Sequence, residues 1–213
     1  MPSFVSTGVS AAQLRGVQRR RKLVLLAGIM FGFALAASTA SYWTAPSFLR
    51  ALIHSAGLLL IVVCIVGRTW CALYIGALKQ RALIAKGPYS VVRNPLYLFA
   101  VLGAAGTGAL SGSIVLGLLF AAFAAAVFVF VVRREEVFLI AAFPATYPVY
   151  AARVPRFWPR LSAWEDADEL AIKPTVVWRT LRDTCWFLLA VPVMACVEVA
   201  QANGWFVALW HLP

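Results

Sequence analysis

The chain has 213 residues, of which 62% are apolar and 13% charged, with a formal net charge of +11. Soluble domains run to about 45–50% apolar and about 25% charged, so this composition excludes an ordinary soluble domain and points to a polytopic membrane protein. The surplus of cations does not point to nucleic acid, because the basic residues are spread between apolar runs.

A membrane span needs about 20 apolar residues to cross about 30 Å of hydrocarbon. Residues 1–22 read as a basic tail ahead of the first such run, and 23–213 as a single membrane domain. Runs of the required kind lie near 23–41, 48–70, 96–111, 113–132 and 177–201, so an all-α protein with about five transmembrane helices is expected. The apolar part of the first run exceeds the 7–15 residues of a signal-peptide core, which reads as a span that is retained. With five spans, every Lys and Arg except Arg50 and Arg68 falls on one side. The positive-inside rule puts that side, and the N-terminus, in the cytoplasm, and the C-terminus outside. The same cations suit anionic headgroups.

Gly28 and Gly32 in the first run form a small-residue pair that favours close helix packing. The second run continues past Arg68 as a helix. His54 within it reads as an interhelical hydrogen-bonder. Gly87-Pro88 then interrupts the chain, since proline lacks an amide donor. Asn94-Pro95 opens the third run, with Pro95 in the first helical turn and Asn94 as its cap. "SGS" at 111–113 is a tight turn. The fourth run leaves the membrane at "RREE", and the helix beyond it is expected to bend at Pro144 and Pro148. "WEDADEL" at 164–170 reads as a solvated acidic loop. Glu198 lies in the last run, and Trp205 and Trp210 read as interfacial anchors. The four cysteines have no metal-type spacing and read as small buried hydrophobes. No metal site is expected.

Two segments on the cationic side are richer in functional groups than spanning requires: Lys86–Tyr97 and Arg133–Arg160. Glu135 and Glu136 point about 100° apart on a helix, so one can face a pocket while the other pairs with an arginine. "GAAGTG" at 103–108 has no strand before it and reads as helix packing, with no role in nucleotide binding.

Taken together, "GPYSVVRNPLY" and "EEVFLIAAFPATYPVYAARVPRFWP" resemble the two signature blocks of the isoprenylcysteine carboxyl methyltransferase and phospholipid methyltransferase superfamily. Both blocks stand in the family's order, separated by a helical hairpin. The resemblance covers about residues 50–160, with the blocks at 81–97 and 133–160. It implies an integral membrane enzyme that uses S-adenosylmethionine at a cytoplasmic-face site and methylates a lipophilic acceptor, such as an isoprenylcysteine-type carboxylate, in the inner membrane of a bacterium. Carried over by position, it implies cofactor contacts at Arg81, Ala82, Leu83, Ile84, Tyr89, Asn94, Pro95, Leu96, Tyr97 and Glu135. Catalytic roles fall on Arg93, Asn94 and Glu136, and substrate contacts on Arg133, Arg134, Tyr147 and Tyr150. A glutamate suits the cofactor's ammonium or ribose, an arginine its carboxylate, and tyrosine rings its adenine or sulfonium. For an amine acceptor, Glu136 is the candidate base.

The chain departs from the family pattern in four places. Asn94 replaces the commoner histidine, which removes an imidazole. Pro144 replaces a glycine. Phe99 replaces a small residue and is expected to narrow a passage. Val131 and Val132 stand where carboxyl methyltransferases carry a substrate-binding arginine. Alternatives are a phospholipid N-methyltransferase, an NADPH-dependent sterol-type membrane reductase, and a non-catalytic membrane scaffold.

Overall fold

The computed structural model describes residues 28, 30–43, 47–75, 83–206 and 209–213. The basic tail, Lys79, Arg81 and Ala82 lie outside them. Helix α1 (30–38) leads into strand β1 (Thr39–Ser41). Helix α2 (Phe48–Ile75) is followed by the short α3 (Pro88–Val91), then α4 (Pro95–Ala109) and α5 (Ile114–Ala142). Helix α6 (Tyr147–Arg153) precedes a long irregular segment. Helices α7 (Pro174–Cys185) and α8 (Ala190–Ala202) are joined by a 3₁₀ turn, Trp186–Leu189. Strand β2 (Trp210–Leu212) pairs in parallel with β1.

The fold is an all-α membrane fold in which three described helices are long and apolar enough to span: α2, α5 and the continuous Pro174–Ala202 unit. The count is therefore lower than the five expected. Helix α4 has 15 residues, about 22 Å of rise, too little to cross alone. It leans on α2 and α5 as one half of a hairpin. Of the first expected span, residues 28 and 30–41 are described, and the helix there, α1, runs over 30–38 before β1.

Close packing of α4 follows from its glycines. A methyl at Gly106 would come within 2.6 Å of the Gly57 carbonyl oxygen on α2, and one at Gly103 within 2.6 Å of Cys64 Sγ. The glycines of "GAAGTG" thus let two backbones approach, as small residues do in lipid. Gly28 and Gly32 instead receive the Phe123 and Phe120 rings of α5. The Phe99 ring seats against Gly67 on α2, where a methyl would meet it at 2.4 Å. Its bulk therefore fills a notch between α2 and α4, contrary to the expected narrowing of a passage. Gly112, at φ +75°, makes the turn between α4 and α5, and Ser113 caps α5 by accepting from Leu116 N at 3.2 Å.

As expected, the helix runs on past the charged cluster: α5 is unbroken through Arg133–Glu136 to Ala142, because its hydrogen bonds are internal and do not depend on leaving lipid. Several further expectations change. The break falls at Pro144, in the turn between α5 and α6, whereas Pro148 sits in the first turn of α6. Cys64 and Cys71 are buried, whereas Cys185 is half-buried and Cys196 exposed. His54 is half-buried and makes no hydrogen bond among the described residues. Glu198 pairs with Arg50 at 2.8 Å.

Candidate active site

The end of the bundle where α2 and α5 finish, here the cationic end, is organised around the two adjacent glutamates of α5. Their 100° offset separates their fates. Glu136 turns inward and is buried. Its Oε1 accepts from Arg93 Nη1 at 2.8 Å and Arg156 Nε at 3.0 Å, and its Oε2 from Arg156 Nη2 at 2.7 Å. Glu135 turns outward, is exposed, and accepts from the Tyr97 hydroxyl at 2.7 Å. Tyr97 in turn packs its ring on Phe128, with centroids 4.8 Å apart.

Glu136 thereby joins three chain segments: Arg93 comes from the loop before α4, Glu136 from α5, and Arg156 from the segment after α6. That third segment closes over the loop along its length. Arg93 N donates to Pro155 O at 2.9 Å and Arg160 N to Val91 O at 2.9 Å. Asn94 Nδ2 donates to Arg156 O at 3.3 Å. Asn94 sits at the N-cap of α4, but its side chain makes no capping bond; the expected cap is redirected to the neighbouring segment. Its carbonyl instead receives Tyr97 N and Leu98 N, both at 3.2 Å.

The acidic loop is solvent-exposed as expected, but it is also anchored. Gly87 N donates to Glu165 O at 2.7 Å, and Glu165 N to Ser90 Oγ at 3.0 Å. The Glu165 carboxylate pairs with Lys86. The Tyr74 hydroxyl donates to Asp166 Oδ1 at 2.8 Å, and the Trp70 and Trp164 rings stack at 5.4 Å. Residues 155–166 therefore wrap the loop 86–94 and tie it to the end of α2.

Three of the four expected tyrosines lie inside this packing. Tyr89 joins Cys71 and Tyr74, with Ile84, Leu96 and Phe99 against them. Tyr147 and Tyr150 join Val154, with Leu83 against them. The Tyr150 hydroxyl donates to the Tyr89 carbonyl at 2.8 Å. Burial pushes the phenols of Tyr89, Tyr147 and Tyr150 above their ordinary range, so at neutral pH they are hydrogen-bond donors. The Tyr147 hydroxyl lies against Arg93 and Glu136. The bond to Glu136 raises the guanidinium of Arg156, outweighing burial. Pro95 is buried at the head of α4, and Leu96 offers its carbonyl to Arg68 Nη1 at 3.0 Å. Arg133 and Arg134 are exposed on α5, immediately before the glutamates. Arg93 Nε is buried and makes no hydrogen bond among the described residues.

A sequence model of the family described as phospholipid methyltransferase matches residues 52–146. The cobalt-zinc-cadmium resistance protein CzcN of Cupriavidus metallidurans is 36% identical over 173 residues, 81% of this chain and 76% of that protein. The chain belongs to the phospholipid methyltransferase family. The nickel-cobalt-cadmium resistance protein NccN of Alcaligenes xylosoxydans xylosoxydans is 35% identical over 173 residues, 81% of this chain and 80% of that protein. No solved structure matches.

The family match ends at residue 146, so within this phospholipid methyltransferase family member the gripping segment 155–166 lies beyond it. Arg156, Glu165, Asp166 and Tyr74 were not singled out by the sequence as site residues. The available signal was electrostatic: an acidic run set among cationic connections has cations to meet. Among the described residues no group of three or more His, Cys, Asp or Glu is placed to hold a metal ion.

Proposed function

We propose that this protein is an integral membrane methyltransferase that uses S-adenosylmethionine and methylates a lipophilic acceptor reaching the cationic end from the bilayer. One observation carries the reading: the family's two blocks meet at one end of the bundle, with Glu135 and Tyr97 facing outward and Arg93, Glu136 and Arg156 locked beneath them. That set fits the cofactor's amino-acid portion. Glu135 Oε2 would accept from the ammonium, and Arg93 Nε, a buried donor without a partner among the described residues, would donate to the carboxylate. With Tyr89, Tyr147 and Tyr150 packed inside, Tyr97 is the signature tyrosine proposed to face the cofactor.

S-adenosylmethionine, when bound, supplies a methyl group on a positively charged sulfur. The chain's contribution is alignment and exclusion of water. Arg93 and Arg156 hold Glu136 so that α5 and the loop 86–94 keep one spacing. Both oxygens of Glu136 are committed to guanidinium donors, so its proposed role is positioning. For an amine acceptor Glu135, exposed and next to Tyr97, is the carboxylate with room to take a proton; a carboxylate acceptor needs none. Arg133 and Arg134 are proposed to meet the acceptor's headgroup or anionic lipid. The cationic end is proposed to face the cytoplasm, in a bacterial inner membrane.

The relatives' names tie them to resistance to cobalt, zinc, cadmium and nickel. On this proposal the chain serves such resistance by methylating a membrane component. A cell relying on it should lose metal tolerance with Glu135→Ala as fully as with deletion.

The direct test is calorimetric titration of detergent-purified protein with S-adenosylmethionine and, in parallel, NADPH. Saturable S-adenosylmethionine binding that Glu135→Ala abolishes, with melting unchanged, is the expected result. NADPH binding alone would replace the reading with a reductase. Neither ligand binding to folded protein would leave a scaffold.

A further inference from the structure

The opposite end of the bundle holds a cavity of about 200 Å³ between β1, the first turn of α2, the α4–α5 turn and the last turns of α8. Its wall includes Thr39, Ser41, Arg50, Ser111, Glu198 and Gln201. Arg50 lies 24 positions before Tyr74 on the same helix, about 36 Å away along its axis, so this cavity is remote from the Arg93–Glu136 site. Methyl transfer at the cationic end does not involve it. Ionisable residues within membrane spans are costly and recurrently mark binding sites or ion paths. Glu198 is such a residue.

The hydrogen-bond inventory of the wall defines what it can hold. The hydroxyls of Thr39, Ser41 and Ser111 donate to Leu35 O at 2.8 Å, Gly112 O at 2.9 Å and Gly108 O at 2.7 Å. Gln201 Nε2 donates to the carbonyls of Ala36, Ala37 and Thr39 at 3.4, 3.1 and 3.0 Å. Ser41 Oγ also accepts from Trp43 N at 3.2 Å; with the protons committed, what these four side chains have left to offer the cavity is oxygen lone pairs. Glu198 Oε1 accepts from Arg50 Nη2 at 2.8 Å, while Oε2 accepts nothing among the described residues. Arg50 has one of its five N–H groups committed there. The wall is therefore rich in acceptors on one side and carries a guanidinium with spare donors on the other. A bare metal ion would meet that guanidinium, and a quaternary ammonium would bring no N–H to the oxygens.

We infer that this cavity binds a zwitterion in which a primary ammonium stands beside a phosphate or carboxylate. Arg50 takes the anion. Glu198 Oε2 and the surrounding oxygens take the ammonium. The chemistry is shared by the headgroup of an aminophospholipid in the leaflet at this end and by a soluble molecule of the same kind.

The experiment is calorimetry on the detergent-purified full chain with dihexanoyl-phosphatidylethanolamine, dihexanoyl-phosphatidylcholine and O-phosphoethanolamine. The ethanolamine lipid should bind saturably, and the choline lipid at least about tenfold more weakly. Glu198→Gln and Arg50→Gln should each weaken the ethanolamine lipid by at least about tenfold. O-phosphoethanolamine binding as tightly as the lipid would identify the soluble source; binding of the lipid alone would identify the headgroup. Either result supports the site. The double variant Arg50→Glu/Glu198→Arg keeps an ion pair, so it should melt near wild type yet not bind, which separates ligand binding from structural pairing. Equal affinity for the two lipids, or no binding to a cooperatively melting protein, overturns the inference. So does binding that survives Glu198→Gln and is lost in Glu135→Ala, which would put the zwitterion at the cationic end.

Discussion

Both ends of this bundle carry an ion pair, and the two pairs are built to different standards. At the cationic end the Glu136 side chain is 9% exposed and both oxygens are occupied by guanidinium donors. At the opposite end Arg50 and Glu198 share one contact, and the Glu198 side chain is 41% exposed. A saturated, buried pair cannot rearrange without leaving charge uncompensated, so it fixes spacing. A pair with one free oxygen and spare donors can accept a third party. The first suits alignment of a reaction, the second reversible occupancy.

Breaking the first pair should give the largest effect. Glu136→Ala leaves Arg93 and Arg156 facing each other, with the Arg93 side chain only 15% exposed. We expect a loss of about 3 kcal/mol, read as a melting temperature lower by about 6–12 °C in detergent. Cofactor binding should fall with it. Tyr150→Phe removes the donor to the buried Tyr89 carbonyl, and should cost about 1–2 kcal/mol by the same measurement. Glu198→Gln should cost less than about 1 kcal/mol, since a partly exposed pair contributes little. If Glu198→Gln proved as destabilising as Glu136→Ala, the contrast between the ends would collapse.

The smallest effect concerns the acidic loop and appears with pH. The bond to Lys86 holds the Glu165 carboxyl below its ordinary 4.5. A carboxyl with a lower value in the folded state contributes above its unfolded value and loses that contribution as pH falls through the folded one. The grip on the loop 86–94 should therefore be complete at neutral pH and loosen only below about 4.5. Hydrogen exchange at the Gly87 amide, bonded to the Glu165 carbonyl, should report it. In Glu165→Gln the exchange rate should no longer respond to pH in that window, beyond the intrinsic dependence of the amide.

Local grammar made part of this architecture legible. Pro95 starts α4, the turn at 111–113 closes the hairpin, the glycines of "GAAGTG" mark a close helix contact, and adjacent glutamates had to part company on a helix. Each depends on residues a few positions apart. What escaped depends on partners far apart in the chain. Asn94 reads as a cap until Arg156 O, 62 residues on, is beside it. "WEDADEL" is solvated as it reads, but nothing local shows that Lys86 and Tyr74 anchor it. Strands β1 and β2 are three residues each, too short for any alternation to show. The length of α4 was legible as a short apolar run; that it leans on its neighbours comes from Gly57 meeting Gly106.

Helix α5 has a mechanical consequence. It is unbroken from Ile114 to Ala142, starting at the Gly112–Ser113 turn and carrying Glu135 and Glu136 more than twenty residues away. That makes it a lever about 33 Å long between turn and carboxylates. A tilt of about 5° about the turn displaces the glutamates by about 3 Å, a distance that decides whether a hydrogen bond exists. A helix whose apolar stretch exceeds the hydrocarbon thickness accommodates by tilting among other responses, so any tilt a thinner membrane imposed on α5 would be felt most at Glu135, at the end of the long arm.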